Sequence, residues 1–201
     1  MRKTLAVLAG SAALAVTLSA CGGSNGLEGL STTPAKDLTR NHEVGSLKYD
    51  LTKSIPMGGD HNAKWVSCGF WGTPVAPEYT LHAMEHGAVW IAYDPMVSDF
   101  ELSVMRDIAS KHPFVVITPV ESAPHPITLT AWGVQIHAKD MSDPRIDTFI
   151  TTYEQGPQTP EPGAPCSEGG IKDAATAMTA GDGSGGMNES EEATPATGTK
   201  P

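Results

Sequence analysis

Two histidines and a glutamate lie within one predicted helical turn, in the segment His82-Ala83-Met84-Glu85-His86. At about 100° per residue on a helix, His86 lies roughly 40° from His82 and Glu85 roughly 60° to the other side, so the three share one face. Met84 points away from that face, as a core residue would. Two imidazoles one turn apart can bind one metal ion, with Glu85 orienting an imidazole or accepting a hydrogen bond from a bound water.

A third histidine, His61, lies in a loop of residues 55–61 that is rich in glycine and proline. Three imidazoles with an open position suit zinc or copper, and Met57 in the same loop favours copper if its sulfur points inward. His42 and His137 are further candidate ligands. His112 and His125, which adjoin prolines, are expected to be exposed loop residues.

The start of the chain predicts export and a lipid anchor. Arg2 and Lys3 precede an apolar run of residues 5–18, which is shorter than the roughly 20 residues that a transmembrane helix needs. The tetrapeptide Leu18-Ser19-Ala20-Cys21 is typical of a bacterial lipobox, in which residues 1–20 are removed as a signal peptide and the cysteine is acylated. We therefore expect an anchor in the outer face of a bacterial cell membrane. A plain secretory signal with a chance cysteine is the alternative.

Cys68 and Cys166 remain as a pair in an oxidising compartment, where a disulfide is their simplest use. Closing a loop of about 100 residues would stabilise the fold by roughly 4 to 5 kcal/mol in the chain-entropy model. A pair of thiolate metal ligands is the alternative, but nothing outside the cytoplasm keeps thiols reduced.

Composition excludes nucleic acid as a partner and indicates one folded domain. The formal net charge is -10, and an acidic surface repels nucleic acid while it raises the local concentration of cations. Residues 21–40 are expected to form a lipidated flexible tether. Residues 169–201 have almost no large apolar side chain to bury and are expected to form a disordered acidic tail. One folded domain of residues 41–168 remains.

Hydrophobic patterning predicts that this domain is a single compact α+β unit with a small mixed or antiparallel sheet, two to three helices and one disulfide. Strands are predicted at residues 45–49, 88–93, 114–118 and 127–132, with a hairpin through Pro124 and Pro126. Helices are predicted from Thr80 to His86, from Ser98 to Lys111 and from Pro144 onward, the first one ended by Gly87.

Longer motifs are spread along the same region: Gly59-Asp60-His61-Asn62, Cys68-Gly69-Phe70, Leu81-His82-Ala83-Met84-Glu85-His86-Gly87-Ala88-Val89-Trp90, Ala131-Trp132-Gly133 and Pro160-Glu161-Pro162-Gly163-Ala164-Pro165-Cys166. With these motifs the sequence resembles the family known as domain of unknown function 3105, common in actinobacterial secreted and membrane-anchored proteins. The resemblance starts near His42 and covers nearly the whole folded region. The family's usual Pro-Pro-x-Ser-Gly is here Pro56-Met57-Gly58-Gly59, which places a methionine sulfur beside the candidate site. The resemblance implies no activity, because none is established for the family.

These observations favour a membrane-tethered domain that binds copper or zinc through His61, His82 and His86, for capture or delivery. An enzyme is less favoured. A small zinc hydrolase with Glu85 as general base fits the HxxEH motif equally well, but so short a chain offers no evident substrate cleft. A third class is an interaction module for a protein partner at the cell surface, which would use the aromatic residues near Cys68 and leave the histidines structural.

Replacing Cys21 by serine removes the thiol that would be acylated, so we expect the protein to move from the membrane fraction to the soluble fraction. Cell fractionation with palmitate labelling measures this, and Ser24→Ala is the matched control that keeps the label. An unlabelled parent protein, or a C21S variant that stays in the membrane fraction, would contradict the lipid anchor.

Overall fold

The computed structural model describes residues 26–178 of the chain. The predictions for the signal peptide, for lipidation of Cys21 and for the tail beyond residue 178 lie outside these residues. Within them, none of the helices is long and apolar enough to cross a membrane. The regular elements in chain order are β1 (Ser31–Thr32), a 3-10 helix (Ala35–Asp37), β2 (Gly69–Phe70), α1 (Pro77–Glu85), β3 (Val89–Tyr93), α2 (Asp99–Lys111), β4 (Val115–Pro119), β5 (Ile127–Ala131), β6 (Val134–Ala138), α3 (Arg145–Tyr153), a second 3-10 helix (Cys166–Glu168) and α4 (Ala174–Ala177).

The six strands form one mixed sheet in the order β1-β6-β5-β3-β4-β2. Strand β4 runs parallel to both β3 and β2, and the other neighbours are antiparallel. One sheet with helices packed on it, closed by a disulfide, is the single compact α+β domain that the sequence predicts. That prediction is confirmed.

Strand β3 is buried along its whole length, because both faces of the sheet are covered. On one face Ile91 belongs to a core cluster with Met105 of α2 and Phe149 of α3. On the other face Trp90 belongs to a cluster with Leu81 of α1. The continuous apolar strand predicted here is confirmed, and α2 and α3 occupy the segments predicted for them.

Three local predictions are wrong. Residues 45–49 form a loop and not a strand, with positive φ angles of 85° at Gly45 and 57° at Lys48. The chain through Pro124 does not form a hairpin between β4 and β5, because β4 already has β3 and β2 as neighbours. Strand β5 pairs with β3 instead and turns through Gly133 into β6, a strand that the patterning missed.

The packed region extends beyond the predicted limits of residues 41–168. Before it, β1 pairs with β6 and Leu27 is buried in the core, so the segment predicted as a tether is partly folded. After it, Ile171 forms a backbone bridge with Val66, and Ala177 of α4 is buried. In both flanking segments, single apolar residues are buried in the core without any periodic pattern. Composition alone therefore predicted a domain that is too short at both ends.

Cys68 and Cys166 form the predicted disulfide. Their Cα atoms are 5.3 Å apart, which lies inside the usual range of about 4.4 to 6.8 Å. The backbone N–H of Cys68 also donates to the carbonyl of Cys166 at 3.2 Å. The bond joins segments 98 residues apart and holds the C-terminal part of the domain beside β2.

Truncation after residue 168 should lower the melting temperature, because it empties the pocket that Ile171 fills. Ile171→Ala alone should destabilise the fold by about 2 to 4 kcal/mol, the usual cost of a large-to-small change at a buried site. Thermal and urea unfolding measure both effects.

The exposed neighbour Lys172→Ala is the matched control, and truncation after residue 178 should change the melting temperature little. If the chain truncated after residue 168 has the same melting temperature as the full chain, residues 169–178 do not contribute to the folded core.

Candidate metal centre

Helix α1 carries two of the predicted ligands. It begins at Pro77, where the missing N–H costs nothing in the first turn, and not at Thr80, which is buried inside the helix. All side chains of residues 78–85 are buried. Gly87 ends the helix as predicted, with a φ of 98°, and a Cβ at this position would collide with the side chain of Gln155.

A backbone bridge places His42 beside His61. The N–H of His61 donates to the carbonyl of Asn41 at 3.0 Å. The Asp60 carboxylate accepts from the backbone N–H of Asn41 at 3.0 Å and from its side-chain amide at 2.9 Å. Tyr49 donates its hydroxyl hydrogen to the carbonyl of Asp60 at 2.7 Å. These bonds fix the loop that carries His61, although it contains no regular strand.

Four side chains from these segments converge into one group: His42, His61, His82 and Glu85. One ligand atom from each lies within 4.8 Å of the others. Oε2 of Glu85 is 3.0 Å from Nε2 of His61 and 3.9 Å from Nε2 of His42. His61, His82 and Glu85 are buried, whereas the side chain of His42 is 49% exposed. Three of the four side chains are therefore buried, and the group reaches solvent at His42.

Backbone carbonyls fix the tautomers of the imidazoles around this group. Nδ1 lies 2.7 to 2.8 Å from a carbonyl oxygen in three rings: His61 on Gly59, His82 on Asn62 and His86 on Glu161. A carbonyl oxygen can only accept, so each Nδ1 carries the proton, and in the neutral ring each Nε2 presents a lone pair. Metal-binding histidines are held in this way, with one nitrogen donating to a carbonyl and the other facing the ion.

The Nε2 atoms lack matching donors. Nε2 of His61 has no hydrogen-bond partner among the described residues and faces the Glu85 carboxylate. Nε2 of His82 lies 2.9 Å from Nε2 of His86. Each of these contacts brings two electron-rich atoms together, so each requires a proton or another cation between them.

A proton is disfavoured at His82. Burial is the largest cause that lowers the pKa of His82; the hydrogen bond to Asn62 opposes it and the neighbouring imidazoles add to it, and the net pKa is about 4. For Glu85, burial acts to raise the pKa, but the contacts with His61, His82 and Arg40 outweigh it and the net pKa lies below its usual value. The group therefore combines a neutral imidazole with an ionised carboxylate, which are the protonation states that a metal ion needs.

Two of the predicted ligands, His86 and Met57, do not belong to the group of four. The imidazole of His86 is adjacent to His82 but lies outside the group of four. Its position is taken by His42, which the sequence named only as a further candidate. The carbonyl of Met57 accepts from the N–H of Gly133 at 2.7 Å, and a ligand role for its sulfur stays a prediction.

An arginine and a tryptophan border the group. Nη1 of Arg40 is 3.5 Å from Oε1 of Glu85, so the two oxygens of Glu85 face different partners, Oε2 the histidines and Oε1 the guanidinium. The ring of Trp65 is centred 5.1 Å from the ring of His82 and 5.2 Å from that of His86. An ion held in this group would lie close to an indole, which offers a fluorescence signal.

The remaining histidines have other contacts. His125 is exposed, as expected, and its ring stacks on that of His137 with 3.7 Å between centroids. His112 is less exposed than expected, because its Nδ1 lies 2.7 Å from the Glu154 carboxylate. These residues do not belong to the group of four.

The fold and the site define a class of protein: a small disulfide-linked α+β domain with a mostly buried histidine and glutamate group that could hold a metal ion. The family model described as "Protein of unknown function (DUF3105)" matches residues 42–168, which is more than half of the chain. The chain belongs to that family, as its motifs indicated. No curated protein and no solved structure matches it.

The carbonyl contacts predict the tautomers. In chelator-treated protein at neutral pH, His61 and His82 should carry their proton on Nδ1, because each Nδ1 donates to a carbonyl oxygen. Long-range proton–nitrogen correlation spectra distinguish the two tautomers, with exposed His125 as the control. An Nδ1 without a proton in His61 or His82 would contradict the carbonyl contacts.

Proposed function

We propose that this domain binds one transition-metal ion outside the cytoplasm, and that its role is capture or delivery of that ion. One observation carries the proposal: three imidazoles and one carboxylate present ligand atoms within 4.8 Å of one another. The carbonyl contacts of His61 and His82 support it, because they leave each Nε2 available to a cation.

The donor set favours a divalent ion of intermediate softness. Three nitrogens and one carboxylate oxygen suit Zn²⁺ or Cu²⁺, whereas Cu⁺ prefers thiolate and thioether sulfur. Both cysteines among the described residues are already joined in the disulfide. The acidic chain, with a net charge of -10, raises the concentration of cations near its surface.

The position of Glu85 favours a binding protein over a hydrolase. A general base must stand beside the metal with an oxygen free to take a proton from water. Here Oε2 of Glu85 belongs to the ligand group and Oε1 faces Arg40. Glu85 is therefore better suited to bind the ion than to act as a base.

The proposed setting is the outer face of a bacterial cell membrane, with a lipid on Cys21 as anchor. Five Cα-to-Cα steps separate Cys21 from Gly26, where the described structure begins, and they span at most about 18 Å. The domain would therefore act close to the membrane surface. A partner that supplies or receives the ion there is part of the same proposal.

Titration of chelator-stripped protein with Zn²⁺ or Cu²⁺ tests the proposal. Calorimetry should show one site per chain. His61→Ala and His82→Ala should each weaken binding by at least roughly 100-fold, because each removes a buried ligand whose tautomer is already set. Glu85→Gln should also weaken binding, since the carboxylate supplies charge to the ion.

His112→Ala and His125→Ala are the matched controls and should bind like the parent. A parent that binds neither ion, or variants of His61 and His82 that bind as tightly as the parent, would contradict the proposal. The histidines would then be structural, and an interaction module would become the better hypothesis. Retention of the ion by Glu85→Gln with loss of a hydrolytic activity would favour the hydrolase.

A further inference from the structure

His86 makes a close contact with one member of the group of four, although it does not belong to that group. Its Nε2 lies 2.9 Å from Nε2 of His82. His82 is a member of the group and His86 is not. The two imidazoles therefore form a second set of possible metal ligands, connected to the first set through His82.

The contact between these two rings is not a hydrogen bond between neutral imidazoles. Nδ1 of His82 lies 2.7 Å from the carbonyl oxygen of Asn62, and Nδ1 of His86 lies 2.8 Å from that of Glu161. Both Nδ1 atoms donate, so both Nε2 atoms of the neutral rings are acceptors. Two acceptors at this distance repel each other unless a cation lies between them. A proton or a metal ion can be that cation.

The separation of the two nitrogens fits a metal ion. An ion at the usual metal–nitrogen distance of about 2.0 to 2.1 Å from both Nε2 atoms, which are 2.9 Å apart, would make an angle of about 90° with them. This is the angle between neighbouring ligands in the tetragonal geometry that Cu²⁺ prefers. His82 and His86 are thus placed to bind one ion together.

His82 can serve only one ion at a time. Its Nδ1 donates to Asn62, so Nε2 is the only nitrogen that it can offer to a metal. The group of four, here called the inner position, and the pair of His82 and His86, called the outer position, both need that nitrogen. They are therefore alternative positions of a single ion and do not hold two ions together.

The two positions differ in charge and in burial. The inner position combines three imidazoles with the Glu85 carboxylate, whereas the ligands of the outer position are two neutral imidazoles. More ligands and a negative charge bind a divalent ion more strongly, so the ion would rest at the inner position. His61 and His82 are buried, whereas His86 is partly exposed. An ion at the outer position would be weakly held and nearer to solvent.

We propose that the ion enters and leaves the inner position through this outer position, with His86 as the exchange ligand. This inference rests on the proposed metal binding and adds a route to it. The transfer is a ligand exchange: the bond from the ion to Nε2 of His82 is kept, a bond to Nε2 of His86 forms, and the bonds to the other three ligands of the group break. The charge of the ion does not change, so no electron or proton donor is required.

The exposed side chain of His42 is the other opening of the centre. His42 is itself an inner ligand, so its replacement would change affinity and exchange rate together. His86 is not an inner ligand. Replacement of His86 therefore separates the two quantities: the rate of exchange should change, and the equilibrium affinity should not.

His86→Asn in the full-length protein tests the inference with Cu²⁺ as the probe. The amide N–H of asparagine can replace Nδ1–H as donor to the carbonyl of Glu161, but the residue has no nitrogen ligand in place of Nε2. Binding of Cu²⁺ and its transfer to excess EDTA should both slow by roughly tenfold or more, because the path loses a ligand. The Kd should stay within about threefold.

Stopped-flow tryptophan fluorescence measures both rates, because the ring of Trp65 is centred 5.2 Å from that of His86. Calorimetry measures the Kd. His86→Ala, which removes the ring and the donor together, should slow transfer in the same way. His112→Asn is the matched control, since Nδ1 of His112 also has a partner, Glu154, and the residue lies outside both positions.

Transfer that is as fast in His86→Asn as in the parent, or faster, would overturn this inference and leave the proposed metal function intact. The contact between His82 and His86 would then hold a proton only. A Kd raised by more than the stated factor would also overturn it, because His86 would then be a ligand of the resting ion. A parent that binds no Cu²⁺ would overturn both proposals. Slower transfer at unchanged Kd, with His112→Asn like the parent, would support the inference.

Discussion

The hydrogen bonds of Asn62 join the loop of His61 to helix α1, and the geometry of the centre depends on them. The N–H of Asn62 donates to the carbonyl of Glu78 at 3.3 Å, and its carbonyl accepts from Nδ1 of His82 at 2.7 Å. Asn62 therefore fixes the ring of a helical ligand while its neighbour in sequence supplies the loop ligand. Loss of this connection would separate the two halves of the site even if both segments kept their own structure.

Burial makes these connections costly to leave incomplete. Polar groups removed from water must find partners, and His61, His82 and Glu85 are all nearly inaccessible. Carbonyls satisfy the Nδ1 side of the rings, whereas Oε1 of Glu85 and Nε2 of His61 have no hydrogen-bond partner among the described residues. A cation that binds only the folded chain would offset this cost, so occupancy of the centre and stability of the fold should rise together.

Local sequence signals predicted the parts of the site that lie within one element. The spacing of His82 and Glu85 on a single helix face, and the end of that helix at Gly87, could be predicted because both follow from helical geometry alone. The role of His42 could not, because it depends on a backbone bridge to His61 that no periodic pattern announces. His86 has the right spacing, yet its Nε2 lies 2.9 Å from Nε2 of His82 and its Nδ1 lies 2.8 Å from the carbonyl oxygen of Glu161, outside the group of four.

The same division holds for the fold. Apolar runs predicted the central strands and helices, and the expectation of an oxidising compartment predicted the pairing of Cys68 with Cys166. Strand order could not be predicted, because the pairing of β5 with β3 and not with β4 depends on contacts between strands that are distant in sequence. The packing of Ile171 was missed for a similar reason, since one apolar residue in a polar segment becomes significant only when a pocket receives it.

The Ile171 segment has a consequence for how proteolysis would act on this protein. The N–H of Ile171 donates to the carbonyl of Trp65 at 3.2 Å, and the ring of Trp65 contacts the rings of His82 and His86. A protease that cut between Cys166 and Ile171 would leave the disulfide intact and yet free the backbone behind that indole. Clipping of the C-terminal segment would then loosen the wall of the proposed metal centre, and an irreversible cut would become a means of releasing an ion bound there.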